Sequence, residues 1–228
     1  MRRRKPSFRW VCRRYPRASV WTRTLIWARL TALRPLLRLA EEFLPADGNA
    51  LDAGCGHGGL THWLARCPDR TAVGADLSKK RIETAAASRT PPNARFQHAD
   101  IRDALRSADA PWSGYIFADA LLYFSPDSQI DILKTARCHA RPDAVLLVKD
   151  SAASPRWKLR FAQAEERLKS AVQYYGIRQT EPMTYRAMEE WRGAFLEAGW
   201  RLERARAVHR WLPYPGWVGV CRPDTTEP

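Results

Sequence analysis

The sequence predicts an α/β domain built on a parallel sheet. Two observations carry this. Short apolar segments alternate with stretches of helical periodicity through the first two-thirds of the chain, and parallel strands need such crossovers. After a further helical stretch, two strand-like segments at 202–209 and 217–221 flank a turn that contains Pro213 and Pro215. With 228 residues, 45% hydrophobic and 27% charged, the chain has the composition of a globular domain with room for a real core.

Taken in order, residues 1–19 hold two prolines and many cations without periodicity, and read as an extended or disordered tail. No apolar run follows them directly, so no secretory signal is expected. The Arg-rich, acid-free composition leaves a transit peptide open, though serine is scarce. Residues 20–34 read as a helix without a clean polar face: Trp21, Leu25, Ile26, Trp27, Leu30 and Leu33 are interleaved with Arg23, Arg29 and Arg34. Pro35 suits the first turn of a new helix, whose arc Leu36, Leu37, Leu39, Ala40, Phe43 and Leu44 is apolar. A first strand at 50–52 runs into the glycine-rich stretch 54–59, and Leu60, Trp63, Leu64 and Cys67 then follow helical spacing. A second strand at 71–76 ends in an acid, and Ser78 is placed to cap a helix from Lys79 to Ser88. Residues 94–98 and 115–118 read as the third and fourth strands. Asp127 or Ser128 is expected to cap a helix with Ile130, Leu133 and Ala136 inward, and Pro142-Asp143 to turn into a fifth strand at 144–149. The organisation expected is a basic arm and helix at 1–34, a domain at 35–222 with a substrate lid across 155–183, and a tail at 223–228.

Charge is unevenly placed. The formal net charge is +14, yet residues 1–38 hold 12 Lys or Arg and no acid, whereas the remainder carries 26 basic and 24 acidic residues. The body is nearly neutral, which weighs against a nucleic-acid-binding body and leaves the arm to be explained. No run approaches the ~18 apolar residues of a spanning helix. The five cysteines are scattered, form no CxxC pair and show no zinc-ligand spacing. No metal site is expected, and a reducing, cytoplasmic setting is.

A strand, a glycine-rich turn and a helix together form a nucleotide site, because glycine lets the backbone approach a ligand and turn sharply. Gly54-x-Gly56-x-x-Gly59, with Asp76 twenty residues after Gly56, satisfies the dinucleotide fingerprint. The wider pattern Asp52-x-Gly54-x-Gly56-x-Gly58 places a carboxylate on the strand. A pyrophosphate loop is ill served by that acid. A ligand with an ammonium and no phosphate, such as S-adenosylmethionine, is well served.

The segment LDAGCGHGGL resembles motif I of the class I S-adenosylmethionine-dependent methyltransferases. The later series GADLS, HADI, YIFADALLYF and AVLLVKD is similar too, and the resemblance spans residues 35–221. It implies a Rossmann-like fold: a mostly parallel seven-stranded sheet, helices on both faces and a closing antiparallel strand. It further implies that Gly54, Gly56 and Gly58 pack on the methionine part of the cofactor, with Asp52 steering the loop and amino group. Asp76 would take both ribose hydroxyls, Leu77 would pack on adenine, and Asp100 would accept from the adenine amino group. Ile101 would add a backbone contact, and the Ala118 carbonyl would take the ammonium. Arg141-Pro142-Asp143 departs from the family's usual Pro-Gly-Gly, and Tyr123 stands where many relatives carry histidine.

Methyl transfer is an in-line displacement in which positioning dominates. An alcohol or carbon acid also needs a base. Ligands bind outside the carboxyl ends of the strands, so the candidate catalytic residues are Tyr123, Asp150 and His209. His57 reads as structural, and His62 and His98 have no evident partner. The expected acceptor is a small organic or lipid-like molecule. An RNA methyltransferase using the Arg-rich arm and a non-catalytic module of this fold are the alternatives. The arm, with Trp10, Trp21 and Trp27 among its cations, is expected to meet an anionic membrane surface and to lie apart from the chemistry.

Overall fold

The computed structural model describes residues 7–107, 109–171, 183–208 and 215–225. Three helices lead: α1 (Phe8–Arg14), α2 (Val20–Ala32) and α3 (Arg34–Phe43). Alternation then follows: β1 (Gly48–Ala53), α4 (Gly59–Leu64), β2 (Arg70–Asp76), α5 (Lys79–Ala86), β3 (Ala94–His98), α6 (Ile101–Arg106) and β4 (Trp112–Ala118). A 3₁₀ turn (Leu121–Tyr123) precedes α7 (Pro126–Cys138), β5 (Ala140–Ser151), α8 (Arg156–Ala171), α9 (Met188–Glu197), β6 (Trp200–Ala207) and β7 (Gly216–Pro223).

The seven strands form one sheet in the order β3-β2-β1-β4-β5-β7-β6. Strands β1 to β5 pair in parallel, and β7 runs antiparallel between β5 and β6. The central strands are apolar on both faces, as expected of a sheet covered on both sides. Alternate residues face opposite ways. Leu51, Val73, Tyr115, Phe117, Leu146 and Val148 meet the α6, α7 and α9 side, which holds Trp191 and Phe195. Ala50, Ala72, Ile116, Val145 and Leu147 meet the α1–α4 side, which holds Val11, Tyr15, Ile26, Leu30 and Trp63.

The extended-tail reading of residues 1–19 is overturned over the described part. Ser7 caps α1 through a bond from the Trp10 N–H, and Ser19 caps α2 through the Thr22 N–H. Val11 and Tyr15 are almost fully buried. Tertiary burial, not local periodicity, orders this segment. Four smaller expectations also change. Ser125, not Asp127 or Ser128, caps α7, with Pro126 in the first turn. Gln129 and Ile132 turn inward there in place of Ile130. Pro142-Asp143 makes no turn but lies inside the long strand β5, where Arg141 bonds both Asp143 and Asp47. Ser78 sits at the start of α5, yet its side chain makes no cap bond.

The parallel register brings the ends of β1, β2, β4 and β5 to one edge of the sheet. Gly74 keeps that edge compact. A Cβ there would stand 2.5 Å from Thr61 Oγ1 and 2.9 Å from Cys55 Sγ. Gly74→Ala is therefore expected to destabilise the fold by about 1–3 kcal/mol through overpacking, read as a lower urea midpoint at unchanged slope.

Candidate cofactor site

Between β1 and α4 the chain uses three glycines with left-handed backbone, Gly54, Gly56 and Gly58, at φ 77°, 57° and 75°. A Cβ would strain each of them. The loop is tied down by its own polar groups. Gly54 and Cys55 both donate their N–H groups to the Ala75 carbonyl at 2.9 Å. The Gly56 N–H donates to Asp76 Oδ2 and the Ser78 N–H to Asp76 Oδ1, each at 2.8 Å. Asp76 thus joins the loop to the start of α5. Each of its oxygens keeps a second lone pair.

The glycines differ in purpose. A Cβ on Gly58 would collide with the Phe96 ring at 2.3 Å, so Gly58 serves packing. One on Gly54 would meet Ala120 Cβ at 3.2 Å. Nothing lies within 4 Å of a Cβ built on Gly56. A side chain at Gly56 would thus enter open space, while the buried Gly56 N–H faces the Asp76 carboxylate.

Asp52 is buried beneath the loop and accepts from Thr61 Oγ1 at 2.7 Å. Burial pushes its carboxyl up to about 6, opposed by the Thr61 bond and by the field of Arg29. Leu77 is exposed beside the loop, and His98 Nε2 lies 3.0 Å from its carbonyl oxygen. Asp100 is the N-cap of α6, accepting the Arg102 N–H at 2.8 Å. Ile101 is buried in the core. The Ala118 carbonyl does hold a cation, but one from the protein: Arg29 Nη2 donates to it at 2.7 Å.

Of the candidate catalytic residues, Tyr123 lies half-buried on the 3₁₀ turn. Asp150 is fully buried. Its Oδ1 accepts the Ser151 N–H at 2.7 Å, while Oδ2 has no hydrogen-bond partner. Burial pushes the Asp150 carboxyl up to about 8, and the charge of Asp119 adds to the shift. His209 lies outside the described residues.

The sequence reading gave no site role to Arg29 or Lys149, and left Asp119 open between a capping acid and a site residue. Lys149 pairs with Asp119, and Arg29 Nη1 lies 3.5 Å from the same carboxylate. Asp119 has φ 52°, the one positive value at a non-glycine position among the described residues. One signal was available: Arg29 falls at helical spacing between Ile26 and Leu33, a cation on an inward stripe. His62 also gains partners. Its ring sits edge-on to Tyr15 and Phe96, and Nε2 lies 2.6 Å from Ser88 Oγ. Burial pushes it down to about 3, so it is a neutral core side chain. His57 is likewise pushed down to about 4, by burial first.

The N-terminal helices lie on this loop, which corrects the expectation that the arm is apart from the site. Tyr15 Oη donates to the His57 carbonyl at 2.7 Å. A Cβ on Gly59 would meet Ile26 Cγ2 at 2.9 Å.

An open α/β sheet in this strand order, with a glycine loop after β1 and an acid ending β2, is a Rossmann-like fold. Residues 50–143 match the family model described as a methyltransferase domain. That stretch is thus similar to a methyltransferase domain. It is 33% identical over 131 residues to the trans-aconitate 2-methyltransferase of Variovorax paradoxus, covering 56% of this chain and 49% of that protein. It is 35% identical over 123 residues to the protein of the same name from Deinococcus radiodurans, covering 54% and 44%. The matched segments thus span about half the length of these curated relatives. Among solved structures, the fold is similar to the 1,6-didemethyltoxoflavin-N1-methyltransferase of Burkholderia thailandensis, at TM-score 0.65 and 16% identity over 87% of this chain and 80% of that one. That protein was solved with its acceptor and S-adenosylhomocysteine bound.

Asp150 makes stability pH-dependent. An unfolded aspartate ionises near 3.9, while the folded carboxyl keeps its proton to about 8. Across that window the folded state holds the extra proton, so stability falls as pH rises and levels off above it. Asp150→Asn is expected to leave the melting temperature unchanged near pH 4 and to raise it by pH 8. Each kcal/mol relieved is worth about 2–4 °C, read in parallel thermal melts.

Proposed function

We propose that this chain transfers the methyl group of S-adenosylmethionine to a small organic or lipid-like acceptor. The observation that carries the reading is a glycine loop with open space at Gly56, whose N–H bonds a carboxylate with lone pairs to spare. The residues present fit the cofactor. Asp76 accepts the ribose hydroxyls, exposed Leu77 lies against the adenine, and Asp52 adds negative charge beneath the amino group. The Ala118 carbonyl suits an ammonium, since it already accepts from a cationic donor. Asp100, its cap bond notwithstanding, keeps lone pairs for the adenine amino group, and the Ile101 backbone lies alongside.

The bound cofactor supplies an electrophilic methyl group. The chain's own residues align the acceptor, whose lone pair forms the new bond as the sulfur–methyl pair returns to sulfur. Tyr123 and Asp150 border the acceptor side. With its carboxyl pushed up to about 8, Asp150 is protonated at neutral pH and acts as a hydrogen-bond donor rather than a base. Helix α8 forms the described half of the lid. It leaves Trp157 and Phe161 exposed one turn apart, while Ala162 packs inward. The name of the curated relatives supports a small acceptor. Trans-aconitate is a carboxylic acid, and a carboxylate acceptor needs positioning only.

In calorimetry, S-adenosylhomocysteine is expected to bind and NADH not to. Asp76→Ala is expected to weaken that binding by about 1.5–3 kcal/mol. It should also lower the melting temperature, because Asp76 ties Gly56 to Ser78. Binding of NADH alone refutes the reading.

A peripheral membrane role for the arm belongs to the same proposal. Phe8, Val20 and Trp21 are exposed beside the exposed cations Arg9, Arg13 and Arg17. Interfacial tryptophan and ~1 kcal/mol per cation near an anionic surface support reversible binding. Full-length protein is expected to float with anionic but not neutral liposomes, in a salt-sensitive way. Retention on RNA filters without flotation favours the RNA alternative instead.

A further inference from the structure

We infer that the outer face of helix α8 is an interfacial surface that lies on an anionic lipid bilayer, at the carboxyl edge of the sheet. The contact is separate from the arm's, which uses other residues, and it does not depend on the methyl-transfer reading.

The helix is inside out for packing on protein. Trp157 is 61% exposed and Phe161 45%, while Lys158 and Ala162 are buried. Arg156, Arg160, Ala164 and Arg167 are exposed as well. At 3.6 residues per turn these six exposed residues fall on one arc of about 140°. No Asp or Glu falls on that arc. Within it the three arginines lie along one flank and the two aromatics along the other, about a quarter-turn apart. A helix meant only to cover a core would turn its aromatics inward and its lysine outward.

The link from β5 into α8 is fixed at two points. The Ala152 N–H donates to the Pro215 carbonyl at 2.8 Å, and the Ala153 N–H to the Arg186 carbonyl at 3.0 Å. Helix α8 therefore starts beside the carboxyl end of β5, on the edge where open α/β sheets take their ligands.

Exposed aromatics flanked by arginines, with no acid among them, match an anionic bilayer. Tryptophan and phenylalanine enter the zone between headgroups and acyl chains. Arginines a quarter-turn away then stand level with the lipid phosphates, which suit their forked donors. Other occupants fit less well. A second copy on the same face would set three arginines against three. A nucleic-acid strand stacks its bases on open ring faces, and Lys158 Nζ lies over the Trp157 ring, 5.3 Å from its centroid.

The test uses the full chain with vesicles of phosphatidylcholine, alone or mixed with phosphatidylglycerol. The unaltered protein is expected to float with the mixed vesicles only. Trp157→Ser with Phe161→Ser should lower the partition coefficient about tenfold or more. So should Arg156→Gln with Arg160→Gln and Arg167→Gln, the scale of several interfacial cations lost. A milder variant gives a second readout. Quenching of tryptophan fluorescence by brominated phospholipid should fall in Trp157→Phe, which still floats. Trp21→Ser with Arg13→Gln and Arg17→Gln separates this contact from the arm's. Loss of flotation in that arm variant alone, with both α8 variants binding as the unaltered chain does, overturns the proposal and leaves the arm reading standing. Loss in the α8 variants alone supports the proposal and refutes the arm reading. Unchanged quenching in Trp157→Phe overturns the proposal. It is also overturned if the α8 arginine variant loses retention on RNA filters while flotation is unchanged, because the face then serves nucleic acid. If the unaltered chain floats with neither vesicle, both readings fail.

Discussion

One carboxylate governs the functional edge of this molecule. Asp76 accepts N–H groups from Gly56 and from Ser78. Buried backbone donors need partners, and a loop of three left-handed glycines has little regular structure to supply them. By meeting that need from the end of β2, Asp76 sets the distance between the loop and α5. Asp52 does the complementary task from β1, holding the first turn of α4 through Thr61. The acids at the ends of β1 and β2 thus hold the loop in shape.

The arm is the second determinant. The α1–α4 face of the sheet holds Ala50, Ala72, Ile116 and Val145, small or medium side chains that need cover. Helices α1, α2 and α3 give it with Val11, Tyr15, Ile26, Leu30, Leu33 and Leu36. Their basic outer surface and their apolar inner surface therefore serve different purposes. One faces solvent with its cations; the other closes the core and brings Arg29 to the end of β4.

The sheet and the glycine loop were legible in the sequence because both are local. Apolar segments of strand length and closely spaced glycines show in a short window. Asp76 was legible as an acid at the end of a strand. Its backbone partners were not, because Gly56 lies 20 residues away. Residues 8–14 were read as tail because their few apolar side chains sit among prolines and arginines. Only the covering of Val11 and Tyr15 by the sheet face orders them. His62 was opaque for a similar reason: Tyr15, Phe96 and Ser88 come from three separate segments. The helix caps went astray by a few residues, since Ser125 and Asp127 are equally good caps in composition. Arg29 was hidden among cations of the same kind, and only β4 distinguishes it.

The arm also bears on how the chain reaches its native state. Its contacts are distant in sequence: Arg14 bonds the Arg89 carbonyl 75 residues on, and Arg29 bonds the Ala118 carbonyl 89 residues on. A nascent chain presents the arm before the sheet, at about 5–20 residues per second. Its docking partners are therefore made several seconds later. Until β4 has been synthesised, α2 has no sheet face to cover, and its tryptophans and leucines stay open to chaperones or to a lipid surface. Contacts of such long separation form late. A segment synthesised ahead of the sheet is then among the last to settle.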